Sequence, residues 1–231
     1  MKKEHGFTLI EIAIVLVIIG LLLGGVLKGQ ELITSARVRN IISQQDGFKA
    51  AFFGFLDRYR AYPGDYGQAI ANIPGCAGCQ NGNNNGQITA LGVAGATVHE
   101  HISAWAHLSR AGFINGSYTY ALPPETTASA PTNPYARFLQ IIYDNAYDPA
   151  ASAVRHNLKT GNQIPSDILA EIDRKIDDGS ATGGAFRFSA FPGQTGAGTP
   201  PIGSGSCYLA AAPNNWVANA PVPVCGGASL F

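Results

Sequence analysis

The chain has 231 residues, enough for one globular domain plus an appended segment. It carries 15 basic and 15 acidic side chains, charged residues make up only 13%, and no Lys/Arg cluster occurs. That balance excludes the basic excess with which nucleic-acid binders meet phosphates, so no nucleic-acid partner is expected. The 28 glycines and 14 prolines, concentrated after residue 60, imply a body rich in turns and poor in long helices.

The first element is an apolar helix. From Phe7 to Leu27 the 21 residues hold one ionisable side chain, Glu11. At helical rise this run is roughly 30 Å long and spans a bilayer. Lys2 and Lys3 before it favour a cytoplasmic N-terminus, which puts the rest of a bacterial chain in the periplasm or beyond. A secretory signal peptide has a shorter apolar core, about 7–15 residues, with a small-residue cleavage site after it. Here the best such site, Thr34-Ser35-Ala36, lies well past the run, and the helix pattern continues through it. A plain anchor leaves Glu11 unexplained, because a carboxylate near a bilayer centre costs at least ~2.5 kcal/mol and usually marks a function with a partner. Two small-xxx-small spacings, Gly20–Gly24 and Gly25–Gly29, permit close approach of another helix.

From Glu31 the pattern becomes amphipathic. Ile33, Val38, Ile41, Ile42, Phe48, Phe52, Phe55, Leu56 and Tyr59 recur roughly at three- and four-residue steps, with polar residues largely between them. Such a helix buries one stripe under a globular domain. It ends near Arg60, because Tyr62 precedes Pro63 and Pro63-Gly64 signals a turn.

Beyond residue 60 the signals are shorter. Glu100 to Gly112 reads as a helix with Ile102, Trp105 and Leu108 on one face. Asn115 to Leu122 and Phe138 to Tyr143 have strand character, and Phe186-Arg187-Phe188 starts another strand. Pro123 to Pro134 reads as a loop. Asp167 to Asp178 reads as an amphipathic helix with Ser166 as N-cap and Gly179 as its stop.

Four cysteines, Cys76, Cys79, Cys207 and Cys225, favour disulfides in an oxidising compartment, and three pairings are open. The simplest is Cys76–Cys79 with Cys207–Cys225, the latter closing a loop worth about 3 kcal/mol by loop entropy. A lone CxxC lacks the second half of a zinc site. Asn81, Asn83 and Asn85 mimic the start of a calcium loop, but its closing acid would fall on Gly92. Glu100 could approach from outside; otherwise the stretch is a flexible Asn/Gly turn, and no other cofactor is expected. His99, Glu100, His101 and His107 lack HExxH spacing and read as surface or capping residues. Asp173, Asp177 and Asp178, interleaved with Arg174 and Lys175, read as a solvated helix face, with Glu171 and Lys175 paired at i,i+4. No nucleophile elbow, Walker loop or dinucleotide fingerprint occurs, so catalysis is not expected.

The N-terminus resembles that of type IV pilins and of the pseudopilins of type II secretion. The residues that carry the likeness are the leader Met1-Lys2-Lys3-Glu4-His5-Gly6, then Phe7-Thr8-Leu9-Ile10-Glu11 opening the apolar run. "RAYPGDY", "AWAHLSRAGFINGSY" and "EIDRKIDDGSATGG" also resemble segments of a subset of prepilin-like proteins. A C-terminal disulfide loop resembles the bridged region common in pilins. The resemblance implies cleavage by a prepilin peptidase between Gly6 and Phe7, methylation of the new amine on Phe7, and assembly in which Glu11 pairs with that amine on a neighbouring subunit. It implies an α+β, pilin-like fold: a long N-terminal helix packed against a globular domain with an antiparallel sheet and short helices. The expected organisation is leader 1–6, membrane half of the helix 7–30, amphipathic half 31–60 and periplasmic domain 61–231. The implied partners are related pilin subunits, an inner-membrane assembly platform and the inner membrane itself. The expected role is a pseudopilin-like component of type II secretion. Its alternatives are a major or minor type IV pilin (adhesion, motility, DNA uptake), whose exposed loops Gly75–Gly95 and Pro123–Pro134 bind partners, and more distantly an anchored periplasmic binding protein.

Overall fold

The computed structural model describes residues 9–90, 98–149, 152–194, 203, 205–211 and 213–231. The chain forms two compact units, Met1–Arg37 and Val38–Phe231. Helix α1 runs Leu9–Tyr59 and contributes to both. It is unbroken because no proline precedes Pro63. It stops where Arg60 takes a φ of 53°, a left-handed turn that ends the hydrogen-bond ladder.

In the second unit α1 is followed by α2 (Ala69–Asn72), α3 (Glu100–Arg110), β1 (Gln140–Asp144), β2 (Arg155–Lys159), α4 (Ser166–Ile176), β3 (Phe186–Phe188) and β4 (Gly227–Leu230). The strands form one antiparallel sheet in the order β1-β2-β4-β3. The fold is therefore α+β, a long N-terminal helix followed by a globular domain with a four-stranded antiparallel sheet and short helices.

Strand alternation sends one face of the sheet to the helix. Ile141 lies opposite Leu158, and both pack with Phe52 and Phe55 of α1, Trp105 and Leu108 of α3, and the Cys76–Cys79 pair. A second core gathers Val38 and Ile41 of α1, Leu169 and Ile172 of α4, Phe186 and Phe188 of β3, Trp216, and the Cys207–Cys225 pair. Burial of these apolar surfaces supplies the main stabilising term.

Several sequence expectations need correction. Residues 115–122 form no strand. Their backbone is satisfied elsewhere: Tyr118 N donates to Ser109 Oγ, and Thr119 N donates to the Ala128 carbonyl. Ser166 lies inside α4 and caps nothing; its hydroxyl donates to the Val217 carbonyl and accepts from Val222 N. Strands β2 and β4 carry no strand signal in the sequence. In β4, Gly227 sits under Phe186, where an added Cβ would lie 2.4 Å from the ring.

Candidate functional site

The apolar half of α1 exposes every residue from Leu9 to Lys28 in the isolated chain. Leu9 is 89% exposed and Leu21 73%. An apolar surface this extensive requires lipid or other helices around it. Glu11 stands in the first turn of α1, where the helix dipole favours negative charge. A Cβ added at Gly20, Gly24, Gly25 or Gly29 would meet nothing within 4 Å, so nothing within the chain requires these glycines for space. The polar surface resumes with the exposed Lys28–Glu31 pair at 2.7 Å. The cleavage pair Gly6 and Phe7 lies outside the described residues.

The globular unit centres on two acids that the sequence did not connect. Asp65, just after α1, accepts from Asn85 N and Gly86 N, both at 2.9 Å. Glu100, fully buried at the start of α3, accepts from Asn83 N, Thr89 N and Thr89 Oγ1, each at 3.0 Å. Burial pushes both carboxyls above their ordinary range, partly offset by these donors. The Asn/Gly stretch thus wraps around two carboxylates through its backbone N–H groups. Its side-chain oxygens are also engaged: Asn81 Oδ1 accepts from Ile70 N, Asn83 Oδ1 from Asn85 N and Asn85 Oδ1 from Gln87 N. Glu100 does reach this loop from outside, to hold amides. In the described part of the 75–95 loop Cys76, Cys79, Ile88 and Thr89 are buried while Gly75, Ala77, Gly78, Asn81 and Asn84 to Gly86 are exposed; in the 123–134 segment Glu125, Ser129 and Ala130 are buried while Pro124 and Thr126 to Ala128 are exposed. Residues 91–95 of the first loop lie outside the described residues.

The reading of the histidines as surface groups fails for His101 and His107, both buried. Gly64 N donates to His107 Nδ1 at 2.9 Å, which places the ring proton on Nε2, and Nε2 donates to the Gln80 carbonyl at 2.8 Å. One neutral imidazole thereby ties the turn after α1 to the segment following the Cys76–Cys79 bridge. Gly64 has a φ of 88°, and a Cβ there would lie 2.2 Å from the Glu100 carbonyl oxygen. Burial drives His107 down to about 4 from its ordinary 6.5. As pH falls below 6.5 the unfolded chain takes up a proton that the folded chain refuses until about 4. His107 therefore removes about 3 kcal/mol of stability between those limits. His156, packed among Phe52, Tyr62 and Tyr143, is also pushed to about 4 by burial and acts the same way. Asp173, raised by burial to about 6, acts in the opposite sense as pH falls from 6 towards its ordinary 3.8. The expected result is thus a difference between chains: His107→Gln flattens the fall in thermal midpoint between pH 7 and pH 4, and equal slopes would refute the assignment.

Around α4 the solvated-face reading holds for Glu171 and Lys175, paired at 2.6 Å, and fails for Asp173. That residue is fully buried and accepts from Trp216 Nε1 at 2.7 Å. Asp177 accepts from Ala185 N and Phe186 N, and Asp178 accepts from Ser180 N. Their carboxylates converge within 4.8 Å, each holding a different part of the chain that follows. Cys76–Cys79 and Cys207–Cys225 are the disulfides. The second bridge joins the Trp216 region to the segment before β4, and both of its sulfurs are buried. Replacing Cys207 and Cys225 together by serine is expected to cost about 3 kcal/mol, read as a lower urea midpoint that reductant no longer shifts.

Asp65, Glu125 and Trp216 are the site residues that sequence reasoning missed. A carboxylate directly after the Pro63-Gly64 turn signal was what the sequence offered for Asp65.

Residues 1–27 match the family model described as the Prokaryotic N-terminal methylation motif. No curated protein and no solved structure matched the chain. The motif is the signature of type IV pilins and pseudopilins. It implies processing by a prepilin peptidase and assembly with pilin subunits, and the long apolar helix is consistent with membrane anchoring.

Proposed function

We propose that the chain is a structural subunit of a prepilin-type filament, most closely a pseudopilin-like component of type II protein secretion. The observation that carries this reading is the continuity of the methylation motif at residues 1–27 with a helix whose apolar half is unburied in its own chain. Residues 1–6 form the leader, 7–30 the membrane half of the helix, 31–60 its amphipathic half and 61–231 the periplasmic domain. Cleavage after Gly6 on the cytoplasmic face frees Phe7, which is methylated. The processed chain waits in the inner membrane with its domain in the periplasm. An assembly platform then extracts it into a bundle of apolar helices. Glu11 guides the register by pairing with the Phe7 amine of a neighbour, since a buried charge is tolerable only when paired. The open glycine positions along α1 suit close helix approach in that bundle. Such a subunit works by assembly and needs no catalytic group.

Shear fractionation of the native bacterium, with mass spectrometry of the recovered chain, tests this. A chain beginning at methylated Phe7 that stays with the inner membrane supports the pseudopilin role. The same processed chain in the sheared surface fraction replaces that role with a type IV pilin. An intact Met1, or a cut after the apolar run, refutes both filament readings and leaves an anchored or secreted protein.

A further inference from the structure

Three asparagines are followed directly by glycine: Asn81-Gly82, Asn85-Gly86 and Asn115-Gly116. An Asn-Gly step carries its own chemistry. The glycine backbone nitrogen can attack the asparagine side-chain carbonyl carbon, because no Cβ hinders the approach and glycine reaches backbone angles that other residues avoid. The attack needs two groups to be free, the glycine N–H and the asparagine side chain. In a folded chain the local hydrogen bonds decide whether they are.

The two steps in the 81–86 stretch are held shut. Gly82 N donates to the Tyr66 carbonyl at 3.0 Å, and Asn81 Oδ1 accepts from Ile70 N at 3.0 Å. Gly86 N donates to Asp65 Oδ2 at 2.9 Å, and Asn85 Oδ1 accepts from Gln87 N at 2.8 Å. The third step differs on both counts. Among the described residues, neither Gly116 N nor the Asn115 side chain has a hydrogen-bond partner. Asn115, Gly116 and Ser117 are all exposed. The turn is anchored on either side of them: Phe113 N donates to the Leu108 carbonyl at 3.0 Å, and Tyr118 N donates to Ser109 Oγ at 3.3 Å. Only the tip between those anchors is open to the reaction.

We propose that Asn115 is a site of spontaneous covalent modification, deamidated through a cyclic imide. Gly116 N loses its proton to solvent base and bonds to Asn115 Cγ. The bond from Cγ to the side-chain nitrogen breaks, and that nitrogen leaves with a proton as ammonia. Water then opens the ring at either carbonyl. One opening gives aspartate at position 115; the other gives an isoaspartyl linkage, in which the main chain runs through the former side chain. The only co-reactant is water. Either product adds a carboxylate to a chain whose formal net charge is zero. The new charge sits at a shallow groove of about 290 Å³ that Asn115 lines with Phe113, Ile114 and, from α1, Gln44, Gly47 and Phe48. The isoaspartyl product also lengthens the backbone between the Phe113 and Tyr118 anchors. A subunit thereby acquires, with age, a charge that a newly made one lacks.

The test ages the full chain, purified in detergent, in mildly alkaline buffer. Peptide mapping by mass spectrometry follows each Asn-Gly step, and electron-transfer fragmentation tells isoaspartate from aspartate. Deamidation at Asn115 is expected to outrun that at Asn81 and Asn85 by roughly tenfold or more, since each of those must first open two hydrogen bonds. In urea, with the disulfides reduced, the three rates are expected to converge. Asn115→Gln, on an exposed turn, is expected to keep the fold by circular dichroism and to lose the acidic band that the aged chain gains on isoelectric focusing. An unmodified Asn115, or equal rates at the three steps in the folded chain, overturns the proposal. So does an acidic band that persists in Asn115→Gln. A preference for Asn115 that survives in urea overturns it too, because the preference then lies in the neighbouring sequence and not in the hydrogen bonds of the fold.

Discussion

Glu11→Gln is expected to leave the chain cleaved, methylated and membrane-resident, yet absent from filaments. The substitution removes a charge from the apolar run, so bilayer residence becomes easier. In the proposed assembly, what it removes is the counter-ion of a buried amine. Breaking a buried ion pair by deleting one partner costs about 3–5 kcal/mol, or more than roughly 100-fold in an assembly equilibrium. Comparing the filament and membrane fractions by immunoblot measures this directly. Glu11→Asp keeps the charge on a shorter arm and should recover part of the assembly. Wild-type filament levels in Glu11→Gln would remove the carboxylate from the assembly mechanism and favour an anchored protein with another role.

The second large effect is expected at Glu100. Glu100→Ala takes the acceptor from three donors, Thr89 N and Thr89 Oγ1 in buried bonds and Asn83 N in a part-buried one. At about 1–3 kcal/mol for each unsatisfied buried group, the loss is about 3–5 kcal/mol after partial relaxation. Domains of this size have only about 5–15 kcal/mol in hand. The urea midpoint should therefore fall sharply, and proteolysis should begin in the 81–90 stretch before the rest of the unit opens. Glu100→Gln should be intermediate, because it keeps one acceptor oxygen but turns an amide N–H₂ towards the remaining donors. An unchanged midpoint would show that the loop holds without its acid.

What could be read from the sequence was what depends on nearest neighbours along the chain. The apolar run with its single carboxylate, the three- and four-residue steps of α1, the stripe of α4 and the apolar entry to β1 are all local patterns. Strand β2, Arg-His-Asn-Leu-Lys, gave no sign because its polar residues find partners only in three dimensions. Lys159 is buried against Asp144, and His156 lies among three aromatic rings. Strand β4, Gly-Ala-Ser-Leu, gave no sign for a different reason: at Gly227 the Phe186 ring leaves no room for a side chain. Residues 115–122 show the converse failure: the alternation is present, but among the described residues no strand pairs with it. The acids were the least legible. Asp65, Glu100 and Asp173 look like surface charge in sequence and act as internal acceptors for backbone or indole N–H groups. Only the tertiary fold brings those donors to them.

Strand β4 also bears on the kinetics of folding. It lies between β2 and β3, although both precede it in the chain by dozens of residues. Until it inserts, β2 and β3 have no strand between them, and the two cores on either side remain unlinked by the sheet. Completion of the sheet is then a late, non-local step, of the kind that slows folding because loop closure must come before the contacts that reward it. As the chain emerges from synthesis, β1 and β2 can form their hairpin early, while β3 and the exposed edge of β2 wait for residues 227–230. During that interval the unpaired edge is open to any extended strand nearby. A filament precursor held at high local density in a membrane would need its own β4 to arrive before a neighbour's does.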